Sequence, residues 1–195
     1  MTEDDARAWM VDRFGQEVTG QVALFVDMVV AENGVQNLVS PASIPAIWVR
    51  HVVDSAQLID LAPKTATRWI DIGTGGGFPG MIIGICWTGA VTMVEPRKLR
   101  AAFLQTCVGR LGLTQASVTV GKIEAVSSPA DVITARAVAP IEKLLHAARG
   151  CATPATRWIL PRGRTPVDEV GGRMFHVEQS ITDPGSSIVT FDGVG

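Results

Sequence analysis

The chain has no tyrosine, only three cysteines and only three histidines among its 195 residues. Cys86, Cys107 and Cys151 stand far apart, with no C-x-x-C pair and no histidine at a spacing that suits zinc. A structural metal site is therefore not expected, and the thiols read as buried apolar filler. His51, His146 and His176 are equally isolated. The longest apolar runs are broken before a bilayer-spanning length, and the opening MTEDDARAW is acidic where a secretory signal would be basic and then apolar. The expectation is a cytoplasmic protein with no membrane partner. A net charge of -2 excludes a general positive field, so any nucleic acid would have to be held by a local basic patch. No repeat or low-complexity segment occurs.

What is present is a globular composition: 47% hydrophobic and 18% charged residues, in a length that suits one ordinary domain. Residues 4–60 carry apolar positions at helical spacing, first Val22, Leu24, Phe25, Met28 and Val29, then Ile44, Ile47, Trp48, Val52, Leu58 and Leu61. Ser40-Pro41-Ala42-Ser43 separates two helices, with Ser43 as N-cap of the second and Pro45 in its first turn. Residues 1–62 are thus expected to form a helical cap packed on a core of residues 63–195. From Arg68 onward short apolar segments alternate with amphipathic ones, the pattern of βαβ units and a parallel sheet. Strands are predicted at Arg68–Ile72, Ala90–Glu95, Ser117–Val120, Asp131–Thr134 and Thr156–Leu160, and helices at Pro79–Trp87, Arg97–Leu111 and Pro140–Arg149. Phe175–Ile181 and Ser187–Phe191 flank the turn sequence Asp183-Pro184-Gly185 and predict an antiparallel hairpin closing the sheet. Ser127-Ser128-Pro129 and the stretch from Gly163 to Gly172 read as surface loops.

The segment DIGTGGGFPG, Asp71–Gly80, sits where the first strand turns into a helix. Such a turn places backbone N–H groups and a helix's positive end against a ligand, and the missing Cβ atoms permit close approach. Gly75, Gly77 and Gly80 spell G-x-G-x-x-G, which taken alone matches a dinucleotide fingerprint. Asp71 is an odd neighbour for a pyrophosphate, whereas it would attract an ammonium group. Glu95 ends the next strand about twenty residues on, the position of a ribose-binding acid in this architecture. The pair favours S-adenosylmethionine, which carries an ammonium and a ribose and no phosphate. A tight strand–helix packing turn with a solvated acid is the plain alternative.

Asn37-Leu38, Arg50-His51-Val52-Val53-Asp54-Ser55, Asp71–Gly80, Arg136-Ala137-Val138-Ala139 and Arg162-Gly163 occur in the order and spacing of the RsmG family, also called glucose-inhibited division protein B. The chain resembles that family over about residues 35–165, and its loop is similar to the family pattern D-V-G-T-G-x-G-x-P-G. The resemblance implies a class I, Rossmann-like α/β methyltransferase sheet with the helical cap and C-terminal hairpin. It implies a monomer that transfers a methyl group from S-adenosylmethionine to guanine N7 in 16S rRNA of the small ribosomal subunit. It further implies that Gly73 and Phe78 contact the cofactor, Glu95 its ribose and Ile123-Glu124 its adenine end, with Gly75 in the same loop, and that Arg136 reaches the cofactor and substrate side of the pocket.

The chemistry agrees with that assignment. Guanine N7 offers a lone pair and no proton, so alignment rather than a general base is demanded. No cysteine follows a proline, as pyrimidine C5 methylation would require. Thr134-Ala135-Arg136-Ala137 stands where exocyclic-amine methylases carry an N/D-P-P-Y/F loop. Arg136 lies at the carboxyl edge of the sheet, where its fork could hold a phosphate, guanine O6 or a carboxylate, or could pair with Glu142 or another surface acid. Arg50-His51-x-x-Asp54-Ser55 stacks on one helix face without a nucleophile elbow, which favours tethering of the cap over hydrolytic chemistry. Arg97, Lys98, Arg100, Arg162 and Arg164 are candidate RNA contacts forming one patch with Arg136; taken singly, each also reads as a solvated surface charge. An NAD(P)-dependent oxidoreductase and a non-catalytic cofactor-binding module remain the alternatives.

Overall fold

The computed structural model describes residues 1–136, 139–164 and 174–194. Ala137 and Val138, and most of the expected loop from Gly163 to Gly172, lie outside the described residues. The first helix, α1 (Glu3–Gln36), opens with a capping box in which the Asp5 N–H donates to Thr2 Oγ1 (3.1 Å) and the Thr2 N–H to Asp5 Oδ2 (2.8 Å). It breaks at Gly15, whose φ of 83° only glycine adopts cheaply, and closes on Asn37 in the left-handed region (φ 44°). By length and mean hydropathy alone, α1 contains an 18-residue window that could cross a bilayer, although Asp27 and Glu32 interrupt its apolar run. Its buried Val22, Phe25, Val26 and Val29 are spent in the protein's own core instead.

A composite helical stretch follows: a 3-10 segment Pro41–Ala46, a π-helical segment Trp48–Val53, the short α2 (Asp54–Ala56) and a 3-10 segment Gln57–Leu61. Ser43 is not the N-cap. The stretch begins two residues earlier with Pro41 at its first position, and the Ser43 hydroxyl donates to the Ser40 carbonyl inside the first turn (2.7 Å). The cap role comes from a distance, since the Glu3 carboxylate accepts the N–H groups of Trp48 (3.1 Å) and Val49 (2.9 Å).

Five parallel strands follow the expected rhythm: β1 (Arg68–Ile72), β2 (Ala90–Glu95), β3 (Ala116–Val120), β4 (Val132–Ala135) and β5 (Arg157–Gly163). Between them run α3 (Gly80–Cys86), α4 (Lys98–Arg110) and α5 (Ile141–Ala147). The hairpin strands β6 (His176–Gln179) and β7 (Ser187–Asp192) are antiparallel, giving the order β3-β2-β1-β4-β5-β7-β6. The later hairpin strand pairs with β5, so the earlier one forms the sheet edge.

Alternation along β1 divides the core. Trp69 faces the cluster built with α1, the composite stretch and α3, while Ile70 and Ile72 face the cluster built with α5, Trp158 and Leu160. The N-terminal helices have no core apart from the sheet, because Phe25, Val29, Trp48 and Val52 pack in the same cluster as Trp69, Met81 and Met93. Asp71 shares the Trp69 face and lies beneath the glycine loop.

Candidate active site

Most of the glycine loop is closed to any ligand. From Asp71 to Gly80 only Gly73 and Gly75 keep partial exposure. A Cβ on Gly76 would fall 2.9 Å from the Leu38 carbonyl, one on Gly77 2.6 Å from Phe25, and one on Gly80 2.7 Å from Asp71 Oδ2. At these three positions the close approach is made by the protein itself, so the plain packing reading holds there. Gly73 (φ 66°) and Gly75 (φ 60°) are the two left for a ligand to meet.

The loop's donors are also turned inward. The N–H groups of Gly73 (2.8 Å) and Thr74 (3.4 Å) go to the Val94 carbonyl, Gly77 to the Thr74 carbonyl (2.9 Å), Gly75 to Glu95 Oε2 (2.9 Å) and Gly80 to Asp71 Oδ2 (2.9 Å). An open cradle of N–H groups for a phosphate, the geometry expected from the motif, is not what these five groups form.

Asp71 is completely buried, and its other oxygen accepts the Thr134 hydroxyl (2.8 Å). Burial pushes its carboxyl up to about 6, with Thr134 and Gly80 offsetting part of that cost. The structure places Asp71 under the loop, where it braces β1, β4 and the start of α3 from below. Phe78 is turned inward as well. It is buried among Phe25 (ring centroids 5.3 Å apart) and His51 (5.1 Å) and lines none of the clefts described below. Glu95 at the end of β2 accepts the N–H groups of Gly75 and Arg97 (2.8 Å), leaving each oxygen a second lone pair.

Three clefts lie along the carboxyl edge, the position where open α/β sheets bind ligands. One, of about 250 Å³, is walled by Ile72, Gly73, Val94, Ile123, Leu144 and Ala147, with the exposed Lys122, Glu124 and Lys143 also lining it. It brings Gly73, Ile123 and Glu124 together. A second, of about 640 Å³, opens between β5, the hairpin turn and the composite helix, and includes Asp54, Arg136, Arg162, Ser180 and Ser186. Ala139 lines both of these. A third, of about 670 Å³, continues past Arg136 and Asp54 to Arg50, His51, Arg164 and Asp183. Arg136 lines the second and third clefts but not the apolar one, which separates it from the group expected around the cofactor's adenine end.

Arg136 is held from several sides. Nη2 meets His51 Nδ1 at 3.1 Å, Nη1 meets Asp54 Oδ2 and the Arg50 carbonyl at 3.5 Å, and the guanidinium lies 5.9 Å from the Phe78 ring. Its acidic partner is Asp54, not Glu142. Burial, then the charges of Arg136 and Arg50, push His51 down to about 3, so its ring is neutral at any physiological pH. Since Arg136 only donates, His51 Nδ1 is the acceptor, and its Nε2–H points to Ser43 Oγ (2.9 Å). Arg162 extends from β5 with its Nε buried and without a partner among the described residues.

The basic residues fall into two groups along the sheet edge. Arg97, Lys98 and Arg100 begin α4 beyond β2, three strand spacings or about 14 Å from β5, which carries Arg162. Arg100 is engaged with the Asn37 carbonyl (3.1 Å) and stitches α4 to the end of α1. Arg164 forks onto Asp183 (3.2–3.3 Å) on the surface. The sequence reading overlooked Gln57, Ser180 and Thr182. Gln57 Nε2 donates to Ser180 Oγ (3.0 Å) and Asp54 Oδ1 (3.0 Å), Ser180 and Thr182 reach Asp54 Oδ1 (3.3 Å each), and the Ile181 N–H donates to Gln57 Oε1 (3.0 Å). Gln57 and Asp54 are three positions apart, but the partners across to the hairpin lie 123 to 128 positions away, so local spacing carried no sign of them.

A family model described as rRNA small subunit methyltransferase G, GidB, matches residues 19–184. The ribosomal RNA small subunit methyltransferase G of Sphingopyxis alaskensis is 41% identical, covering 98% of this chain and 86% of that one. The protein of the same name from Erythrobacter litoralis is 36% identical and covers 98% and 97%. Among solved structures, MtNAS in complex with S-adenosylmethionine superposes with a TM-score of 0.59 at 16% identity, covering 98% of this chain and 77% of that one. An rRNA methylase from Streptococcus thermophilus gives 0.53 at 10% identity, covering 72% and 95%. At such identities the structural likeness speaks for a shared fold alone.

Proposed function

This chain belongs to the rRNA small subunit methyltransferase G family, and from that premise we propose that it methylates N7 of a guanine in 16S rRNA of the small ribosomal subunit, with S-adenosylmethionine as methyl donor. The observation that carries this reading beyond the family match is the inward turn of the glycine loop's donors. Five of its N–H groups are taken by protein acceptors, two of them carboxylates. A dinucleotide would find neither an open N–H cradle nor a long helix start there, since α3 has seven residues. A cofactor without phosphate fits: the apolar cleft suits a neutral purine ring, and Glu95, which is buried and lines none of the three clefts but sits between that cleft's Val94 and Pro96, keeps a second lone pair on each oxygen for a ribose hydroxyl. This weighs against a nicotinamide-dependent oxidoreductase.

Gly73 and Gly75 would let the cofactor approach the backbone, Glu95 would accept from its sugar, and Ile123 with Leu144 would sandwich its base beside Glu124. When bound, S-adenosylmethionine supplies an electrophilic methyl on a sulfonium. The protein's own task is alignment, because N7 has no proton to remove. Arg136 orients the base from the neighbouring cleft through O6 or a flanking phosphate, and its ion pair with Asp54 fixes the fork that does so. Arg162 and Arg164, at and just past the end of β5, would supply their accessible guanidinium nitrogens to the RNA backbone. On the far side, Arg97 and Lys98 are exposed and free to meet a more distant part of the same RNA.

Incubation with methyl-tritiated cofactor and small subunits from a strain lacking this modification, followed by nucleoside digestion, tests the proposal. Label in 7-methylguanosine is expected. Binding of the cofactor without label in RNA would leave a non-catalytic module, and label in any other nucleoside would remove the N7 assignment.

A further inference from the structure

The geometry points to Asp54 as the positioning residue through which the C-terminal hairpin sets Arg136. The inference rests on the methyl-transfer reading above and adds a residue and a coupling to it. Asp54 stands where three parts of the chain converge on the larger clefts. Its Oδ2 faces Arg136 Nη1 at the end of β4, 3.5 Å away. Its Oδ1 is shared by Gln57 Nε2 from the same helical stretch and by the hydroxyls of Ser180 and Thr182 from the hairpin turn. Asp54 Oδ2 is thus held by the contacts on its twin oxygen. The turn is locked in addition by the Ile181 N–H to Gln57 Oε1 and by the Thr182 N–H to Ser180 Oγ (3.2 Å).

An arginine with a mobile fork presents many geometries, whereas one clamped between a carboxylate, a neutral imidazole nitrogen and a main-chain carbonyl presents few. The His51 contact alone does not suffice, since Arg136 Nη2 can pivot about it. The carboxylate on Nη1 supplies the second point that fixes the guanidinium plane. The hairpin that supplies the partners of Asp54 also supplies Ser186, Ser187 and Ile188 to the wall of the 640 Å³ cleft. Displacing that wall therefore loosens Arg136 as well.

Asp54→Asn tests this with little change of shape. The amide oxygen can keep the hairpin and Gln57 contacts, while the amide nitrogen meets Arg136 donor to donor. The expected result is a kcat for methyl transfer lower by about 30-fold, with KM for the RNA and the affinity for S-adenosylhomocysteine changed by less than about threefold. In an Arg136→Ala background the same substitution is expected to cost no more than about twofold further, because nothing remains to be positioned. A merely structural role predicts equal losses in both backgrounds, and that outcome, or an Asp54→Asn enzyme with the parent's kcat, overturns the proposal. A second readout uses the unaltered protein and needs no RNA: side-chain nitrogen NMR of Arg136 is expected to show separate Nη signals from hindered rotation. A single averaged signal would overturn the clamp whether or not the protein methylates RNA, while a hindered fork in a protein that labels no RNA would fault only the methyl-transfer reading.

Discussion

The cleft over β1 to β3 and the larger clefts between β5, the hairpin and the composite helix share one sheet edge and one residue, Ala139, yet are built from opposite materials. The first is walled by Ile72, Val94, Ile123, Leu144 and Ala147, and its charged residues face solvent. The second and third hold Arg136, Arg162 and Arg164 against Asp54, Asp183 and three serines. Burial of a neutral ring drives binding in the apolar cleft and responds weakly to salt. Charge-assisted contacts dominate in the polar clefts and respond strongly. Substitutions on one side should therefore leave the other nearly untouched.

The largest effect is expected at Arg136. Arg136→Ala should lower methyl transfer by about 10²-fold, the loss expected when the base is no longer held in line with the methyl group, with cofactor affinity within about threefold by calorimetry. Equal losses in both measurements would merge the two clefts into one.

Asp71 belongs to neither cleft, and its titration tests that. The folded chain holds the Asp71 proton more tightly than the unfolded chain does, about 6 against 3.8, so the stabilisation is complete below about pH 4 and is lost as pH rises through 6. The gap corresponds to about 3 kcal/mol. Asp71→Asn should flatten that part of the pH dependence of urea unfolding between pH 4 and 7. An unchanged slope would mean that the carboxylate is open to solvent or ligand after all.

Salt separates the clefts next. With three phosphates neutralised, raising salt from about 50 to 200 mM should weaken RNA binding by about 20-fold while cofactor affinity holds within about twofold. A flat RNA response would argue against RNA in the polar clefts. Finally, Ala147→Trp should fill part of the apolar cleft and cost about tenfold in cofactor affinity, with RNA binding unchanged. Unaltered cofactor binding would move the cofactor elsewhere.

Much of the fold was legible because it is local. The short apolar segments at β1 and β2 and the turn at Asp183-Pro184-Gly185 place their elements within a residue or two, and the βαβ rhythm implies the parallel sheet. Strand order is not local. It is what sets Arg97 and Lys98 three strand spacings from Arg162, a separation the sequence alone does not show. The glycines were legible as a site but not in purpose, since Gly76, Gly77 and Gly80 make way for Leu38, Phe25 and Asp71, contacts known only once α1 lies on the sheet. Asp71 shows the same limit: the sequence shows an acid at a strand end but not the Gly80 N–H and Thr134 hydroxyl that folding brings onto its oxygens. Gln57, Ser180 and Thr182 carried no motif, because hydroxyls and amides acquire a role only through partners that folding brings from far along the chain.

The claim on which the rest depends is that the loop's inward-turned donors leave a cleft for a cofactor without phosphate. Calorimetric titration of the same protein with S-adenosylhomocysteine and with NAD tests it most directly. Saturable one-site binding of S-adenosylhomocysteine, insensitive to salt, with no heat from NAD, is the predicted result; saturable binding of NAD with none of S-adenosylhomocysteine would contradict it.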